Sequence, residues 1–320
     1  MNKFTKIGLS ALAGSLVAFS AQAGSLSASG AASMSFSNGD DKSLTHEGNQ
    51  WTMGDSITMT GSGEMDNGMT ISVSYEIDND DVGGGNVYDS HSMTLDTNGF
   101  GTITFSGHGG SSAMSALDDV TPNAYQESWD VVTGAETSTL IGGHSGDNMF
   151  TYKSPDLGGA TITVAYLNAS DAGSDVSYTD FSIVAKPEAF EGLEIGYGFG
   201  ETEVTHGTAI DESAMYVKYT YGSVTVGYQI NEADGPTTAT DLDFTAMGIT
   251  YAVTDDLTIG YNQSESDVGN DTDVQEASAI GASYTSGGIT VGGSMNSVDN
   301  VGFDASADRD GYEFNIAFAF

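Results

Sequence analysis

Apolar and polar residues alternate along most of the chain after residue 25. Clear examples are residues 69–75, 224–230 and 312–320, in which large apolar residues occupy every second position. Because the side chains of a β-strand point alternately to its two faces, this period predicts strands with one apolar and one polar face. Sixteen such segments can be recognised, near residues 26–37, 50–62, 68–78, 89–97, 99–106, 147–154, 159–168, 178–187, 192–201, 212–221, 223–232, 241–252, 257–266, 276–285, 288–297 and 310–320.

The connections between these segments alternate in length. Short ones such as residues 66–68, 98–99 and 222–223 alternate with longer acidic ones such as residues 79–88 and 267–275. Short turns at one end and long loops at the other are typical of bacterial outer-membrane barrels. All four prolines fall in connections or at segment ends, where no strand hydrogen bond is lost. The chain is therefore predicted to be all-β, a sixteen-stranded antiparallel transmembrane β-barrel with its apolar face toward lipid.

The charge balance excludes several classes of function. There are 45 Asp and Glu residues against 7 Lys and Arg, and there is no Cys. Such a chain cannot neutralise phosphates, so no nucleic-acid partner is expected, and disulfides and thiolate catalysis are excluded. The common sequence motifs of hydrolases and nucleotide-binding enzymes are missing as well. We therefore expect no enzymatic activity.

The first 23 residues have the pattern of a secretory signal peptide. Lys3 and Lys6 precede a mostly apolar run at residues 7–19, and residues 21–23 form a small-x-small cleavage site. The apolar run is shorter than the ~20 residues that a transmembrane helix needs. We therefore expect residues 1–23 to be removed during export and residues 24–320 to form the barrel.

One connection, residues 107–147, is out of scale with the others, and loops of this length are usually functional or disordered. Apolar and aromatic residues are not expected in a fully solvated loop. Those of this connection therefore predict packing on the inner wall of the barrel: Ala113, Met114, Ala116, Leu117, Tyr125 and Trp129. The candidates for the narrowest part of a pore are the acids Asp118, Asp119, Glu127 and Asp130. An exposed acidic loop is the alternative.

With these features the chain resembles the sixteen-stranded general diffusion porins of Gram-negative outer membranes, in particular the alphaproteobacterial type. The resemblance rests on the alternating segments, the strand at residues 98–105 ahead of the long third loop, and the last strand, which ends in Phe320. It implies that the third loop folds into the lumen as a constriction, that Phe320 is a signal for the barrel-assembly machinery, and that three barrels form a homotrimer. Family members usually set loop acids against an Arg-rich wall, and this chain has almost no Arg.

Alternation also places three lysines on the polar side of their strands. Lys153, Lys186 and Lys218 each lie shortly before a short turn and alternate with outward apolar neighbours. They would form a sparse basic arc on the lumen wall near one mouth of the barrel. The same positions are explained by the need to keep lysine out of lipid, where it costs ~2–4 kcal/mol at the bilayer midplane.

Small residues dominate the outward face of the first strand, at Ala28, Gly30 and Ala32. One face of the next strand, residues 52–60, also lacks large apolar residues. Two neighbouring strands with few large apolar side chains on their outward faces predict that this part of the barrel wall is covered by protein rather than lipid. This fits the homotrimer that the resemblance implies.

Two acidic stretches, residues 78–83 and 267–273, have oxygen ligands at a spacing similar to that of calcium loops. Neither completes the twelve-residue pattern with its final Glu. Solvated acidic loops are the preferred interpretation, and no cofactor is expected, with calcium at these loops as a weaker alternative.

The sequence thus predicts a passive, water-filled channel for small hydrophilic solutes and ions across the bacterial outer membrane. A preference for cations is expected, because fixed acids in a narrow wet passage attract cations and repel anions. Two alternatives remain open: a structural or adhesive barrel without an open pore, and an outer-membrane hydrolase whose catalytic residues are brought together from distant positions.

Overall fold

The computed structural model describes residues 25–39, 50–78, 88–132, 134–135, 145–168, 177–204, 208–237, 241–269, 271 and 273–320. The predicted signal peptide lies outside these ranges. No helix within them is long and apolar enough to cross a membrane.

Strands make up most of the described residues. The strands within these ranges are β1 (Leu26–Gly39), β2 (Gln50–Glu64), β3 (Thr70–Asp78), β4 (Ser90–Asp96), β5 (Thr102–His108), β6 (Gly110–Ser111), β7 (Ser145–Gly146), β8 (Met149–Lys153), β9 (Ala160–Leu167), β10 (Ser177–Ala185), β11 (Leu193–Val204), β12 (Thr208–Tyr221), β13 (Val224–Asp234), β14 (Leu242–Ala252), β15 (Leu257–Val268), β16 (Gln275–Ser286), β17 (Ile289–Asp299) and β18 (Arg309–Ala319).

Sixteen of the described strands close into one antiparallel barrel, as the sequence predicted. Each strand pairs with its neighbours along the chain, β5 pairs with β8 across the long connection, and β1 pairs with β18 to close the ring. The short strands β6 and β7 pair only with each other, at the two ends of the long connection, where the sequence predicted no strand.

Each barrel strand has an apolar and a polar face. On β11, Ile195, Tyr197 and Phe199 are exposed, whereas the alternate residues Gly196 and Gly198 are buried. We call the side that carries the exposed Tyr, Phe and Ile residues the apolar face and the opposite side the polar face. The predicted alternation of side chains is therefore present in the structure.

The prediction of a weak lipid-facing set was wrong for β2. Its apolar face carries Trp51 and Met53, each 63% exposed, and the Trp51 ring lies 4.7 Å from that of Phe36 on β1. The prediction considered only the face of residues 52–60 that carries small polar side chains. The large side chains lie on the opposite face of the strand. Asp55, which pairs with Ala32, is a carboxylate on the same apolar face.

A tight turn joins β4 to β5 at Asn98 and Gly99, which have φ values of 57° and 110°. Asn tolerates this left-handed region better than most residues, and Gly has no Cβ to clash. The Asp96 side chain accepts a hydrogen bond of 2.8 Å from the Asn98 N–H. The sequence Asp-Thr-Asn-Gly therefore forms the tight turn that brings β5 back alongside β4.

Candidate functional site

The first part of the long loop, residues 107–132, packs on the polar face of the barrel strands. It begins with a short 3₁₀ turn, Met114–Leu117, whose first N–H groups have no partner within the turn. Asp180 on β10 supplies the acceptors: its two carboxylate oxygens lie 3.1 Å from the Ala113 nitrogen and 2.7 Å from the Met114 nitrogen. Because Asp180 is 3% exposed, this contact anchors the start of the loop in a dry environment.

Apolar side chains hold the loop to the wall further along. Met114 and Leu117 are fully buried and pack with Ala214 and Tyr216 of β12. The Trp129 ring meets Phe244 of β14 edge-on, with 5.1 Å between the centroids. Burial of such side chains stabilises the docked loop by about 1.5–3 kcal/mol each.

The predicted set of wall-packing residues is correct in part. Ala113, Met114, Leu117 and Trp129 are buried, and Tyr125 is partly buried. Ala116 is exposed, because it lies on the side of the 3₁₀ turn that faces away from the wall. The sequence could not distinguish it from its buried neighbours.

Glycines on the polar face of the strands form the surface on which the loop packs. A Cβ added at any of these positions would come within 3.5 Å of the loop segment from Leu117 to Tyr125. Glycine in a strand allows the backbone of another segment to approach closely. We call this set the glycine track; it comprises Gly196, Gly198, Gly227, Gly248, Gly260, Gly281 and Gly292.

Side-chain amides of the wall bind the loop backbone. Gln229 accepts a 3.3 Å hydrogen bond from the Val120 N–H and donates one to the Asp118 carbonyl. Asn296 donates to the carbonyls of Glu127 and Ser128, at 2.7 and 3.0 Å. Such bonds satisfy backbone groups that would otherwise be buried without partners.

The far edge of the loop reaches the strands that close the barrel. The Tyr125 hydroxyl donates a hydrogen bond to Glu313 on β18 and also interacts with Ser35 on β1. Burial and the Glu313 carboxylate raise the pKa of Tyr125. The loop therefore spans the polar face from β10 to β1.

Three of the four predicted constriction acids form one cluster. The Glu127 N–H donates to the Asp130 carboxylate at 2.9 Å, and Asp119 and Asp130 are both exposed. Burial, followed by the carboxylates of Asp130 and Asp119, raises the pKa of Glu127 to about 9. Desolvation and Asp130 also raise the pKa of Asp119. At neutral pH Glu127 is therefore protonated, and Asp119 and Asp130 are the exposed members of the cluster.

Asp118, the fourth predicted acid, is half-buried, and its backbone carbonyl accepts a hydrogen bond from Gln229.

The three predicted lysines lie on the polar face, and two of them share one carboxylate. Lys186 Nζ lies 3.0 Å from Glu194, and Lys218 Nζ lies 3.2 Å from the other oxygen of Glu194. The Tyr216 hydroxyl donates to Glu194 at 2.8 Å. Lys153 is exposed. The sequence identified the lysines but missed Glu194, which offsets much of their charge.

Phe320 takes part in the closure of the barrel. Gly30 on β1 donates to the Phe320 carbonyl at 2.8 Å and accepts from the Phe320 N–H at 2.9 Å. A Cβ on Gly30 would lie 2.7 Å from the Phe320 ring. One of the small residues on the outward face of β1 is therefore required by the terminal aromatic side chain.

Metal ligands do not converge in the part of the chain that the structure describes: no group of three or more His, Asp or Glu side chains there could hold an ion. Residues 79–83 of the first acidic stretch lie outside the described residues.

A closed sixteen-stranded barrel with a long loop docked on its polar face defines an outer-membrane-type barrel. The chain belongs to the Gram-negative porin family, whose model matches residues 8–279. No curated protein matches the chain by sequence.

Solved structures share this fold at low sequence identity. The anion-selective porin from Comamonas acidovorans superimposes with a TM-score of 0.72 and 14% identity, over 92% of this chain and 99% of that one. A triple mutant of the Rhodopseudomonas blastica porin gives 0.70 and 16%, over 92% and 100%. Outer-membrane expressed OmpT of Vibrio cholerae gives 0.69 and 14%, over 93% and 98%.

Proposed function

We propose that the polar face lines a water-filled channel through the outer membrane, that the long loop narrows this channel, and that small hydrophilic solutes and cations diffuse through it. The observation that carries the proposal is the docking of the loop along the polar face from Asp180 to Glu313. A structural or adhesive barrel has no need of such an anchored loop. A sixteen-stranded ring is also wide enough for an aqueous passage.

A preference for cations is supported by the exposed carboxylates of the loop and by the pairing of two of the three lysines with Glu194. Asp119 and Asp130 are exposed on the loop, whereas Lys186 and Lys218 are both bound to Glu194. Fixed carboxylates in a narrow passage attract cations and repel anions, most strongly at low salt, where the Debye length reaches ~30 Å. The anion-selective Comamonas porin shares the fold at 14% identity, which carries no information about the charge of this lumen.

Reversal potentials in a planar bilayer test this proposal. In a salt gradient at about 0.01–0.1 M we expect stable conductance steps and a potential that favours the cation. Replacing Asp119 and Asp130 together by Asn should reduce the ratio of cation to anion permeability about two- to fivefold. The matched control is Asp255→Asn with Asp256→Asn, in the short turn between β14 and β15. Absence of conductance steps would contradict the channel, and anion selectivity would contradict the cation preference.

The pH dependence of selectivity provides a second test. Because the pKa of Glu127 is raised to about 9, its carboxyl is neutral at pH 7 and becomes negative above pH 9. We expect cation selectivity to rise as the pH passes through this range. Glu127→Gln keeps the oxygen that accepts from Asn123 and should lose part of the rise, while selectivity at pH 7 is unchanged. An identical pH profile in the variant would contradict this role.

We also propose that the mature chain forms a homotrimer after export by the signal peptide. Asp55 supports a protein-covered wall, since a carboxylate on the apolar face beside Ala32 is unfavourable in lipid. Protein in detergent should migrate as a trimer, and Asp55→Leu should change the trimer's thermal stability. A monomer at all concentrations would contradict the proposal.

A further inference from the structure

Four neighbouring strands, β15 to β18, carry three aligned rows of side chains on the apolar face of the barrel. The first row, which we call the apolar row, consists of Tyr261, Ile280, Met295 and Tyr312. The second, the polar row, consists of Gln263, Ser278, Ser297 and Asp310. The third, the acidic row, consists of Glu265, Glu276 and Asp299. Polarity on this face therefore rises from one row to the next.

The apolar and polar rows line a groove of about 530 Å³. Tyr261 and Tyr312 stand on its two outer strands and are 39% and 41% exposed. Between them Ile280 and Met295 are 66% and 72% exposed. The serines of the polar row have short side chains and do not cover these two residues. The groove is therefore apolar at one end and polar at the other.

The acidic row is not balanced by a base on these strands. Glu276 pairs directly with Glu265 on one side and with Asp299 on the other. Arg309 is the one Lys or Arg residue of β15 to β18, and it lies on the polar face, where it pairs with the buried Val298. Like charges directly opposite each other destabilise a sheet, so a cationic group at the acidic row is favourable.

The connections of these strands give the orientation of the groove in a membrane. The acidic row lies toward residues 269–274 and 300–308, which connect β15 to β16 and β17 to β18. Both connections are longer than the turn at residues 287–288 between β16 and β17. Long connections of outer-membrane barrels are extracellular. The acidic row therefore lies on the side of the outer-leaflet headgroups and the apolar row on the side of the acyl chains.

We propose that this groove binds a lipid of the outer leaflet whose headgroup carries an amine. The acyl chain lies in the apolar part, phosphate or ester oxygens accept hydrogen bonds from Ser278 and Ser297, and the ammonium group binds the acidic row. Charge-assisted hydrogen bonds between ammonium and carboxylate groups are about twice as strong as neutral ones. A headgroup with only anionic charge is repelled by the same carboxylates.

Lipid titrations of the delipidated protein in detergent, followed by native mass spectrometry, test the proposal. We expect phosphatidylethanolamine to bind about tenfold more tightly than phosphatidylglycerol, because only the former presents an ammonium group to the acidic row. Equal affinities would overturn the proposal. Tight binding of phosphatidylglycerol that requires Mg²⁺ would overturn it as well, since a metal ion rather than an amine would then bridge the acids to the headgroup.

Two variants locate the site. Glu276→Gln with Asp299→Asn removes two charges at nearly constant volume and should weaken phosphatidylethanolamine binding about tenfold. The matched control is Glu201→Gln with Asp211→Asn, two directly paired acids on the apolar face of β11 and β12, and should leave binding unchanged.

Ser297→Leu fills the polar end of the groove, keeps the acids and should also weaken binding. Unchanged binding in either assembled variant contradicts the proposal, and where one variant does not assemble the other decides.

A second copy of the chain is the competing occupant of the groove. If Ser297→Leu changes the oligomeric state but not the lipid affinity, the groove is a subunit contact and the lipid site is disproved. The site lies on the outside of the barrel and does not depend on an open channel. A failure of lipid binding therefore leaves the proposed function in place, and a protein without conductance steps still answers the question of the lipid.

Discussion

Replacing Asp180 with Ala is expected to increase single-channel conductance and to add frequent closing events. The two Asp180 oxygens hold the N–H groups of Ala113 and Met114 in a buried environment. Loss of an acceptor for a buried donor costs about 1–3 kcal/mol, and two donors are affected. The start of the loop should therefore detach from β10 for part of the time, which widens the passage and makes its width fluctuate.

Two variants control for this effect. Asp180→Asn keeps one carbonyl oxygen and should give an intermediate conductance, whereas Asp256→Ala removes an acid from a short turn that lies away from the loop and should change nothing. Barrel formation is checked by heat-dependent mobility on gels. A correctly assembled Asp180→Ala protein with wild-type conductance and noise would disprove the anchoring role.

Deletion of Phe320 is expected to lower the yield of assembled barrel more than tenfold, while protein that does insert keeps its conductance. The deletion removes two backbone hydrogen bonds to Gly30 and an aromatic ring that packs over it. Each bond contributes about 0.5–1.5 kcal/mol and the ring about 1.5–3 kcal/mol, so closure of β1 on β18 becomes weaker. The yield is measured in outer-membrane fractions, and an undiminished yield would contradict the prediction.

Gly30→Val separates packing from recognition by the assembly machinery. The substitution displaces the Phe320 ring but leaves the terminal residue in place. A low yield in both variants indicates that closure is the limiting step. A low yield only in the deletion indicates that the terminal residue is read as a signal, as the family resemblance implies.

The barrel was predictable because its signal is local. Apolar and polar residues alternate within each strand, and all sixteen predicted segments correspond to observed barrel strands. The main error in strand bounds is at β12, which begins at Thr208 rather than near residue 212. The face assignment failed at β2 because Asp55 interrupts its apolar side and the polar side is an unbroken series of small residues.

The contacts of the loop were less predictable because they depend on distant pairs. The sequence indicated the buried Trp129 and Leu117, since apolar residues in an acidic loop are conspicuous. Asp180 and Glu194 look like any other acids on a polar strand face, and only the fold shows what they bind. The glycine track is visible in the sequence as glycines on the polar faces of successive strands, from Gly196 and Gly198 onward, but only the fold shows that they contact the loop.

The docked loop also has a consequence for the order of folding. Most of its anchors are synthesised after it: Asp180 follows Ala113 by 67 residues, and Glu313 follows Tyr125 by 188 residues. Contacts between such distant residues form late, because the entropy of closing the intervening chain must be overcome first. The loop can therefore reach its final position only when β10 to β18 are in place. The barrel strands assemble first, and the loop docks on their polar face last.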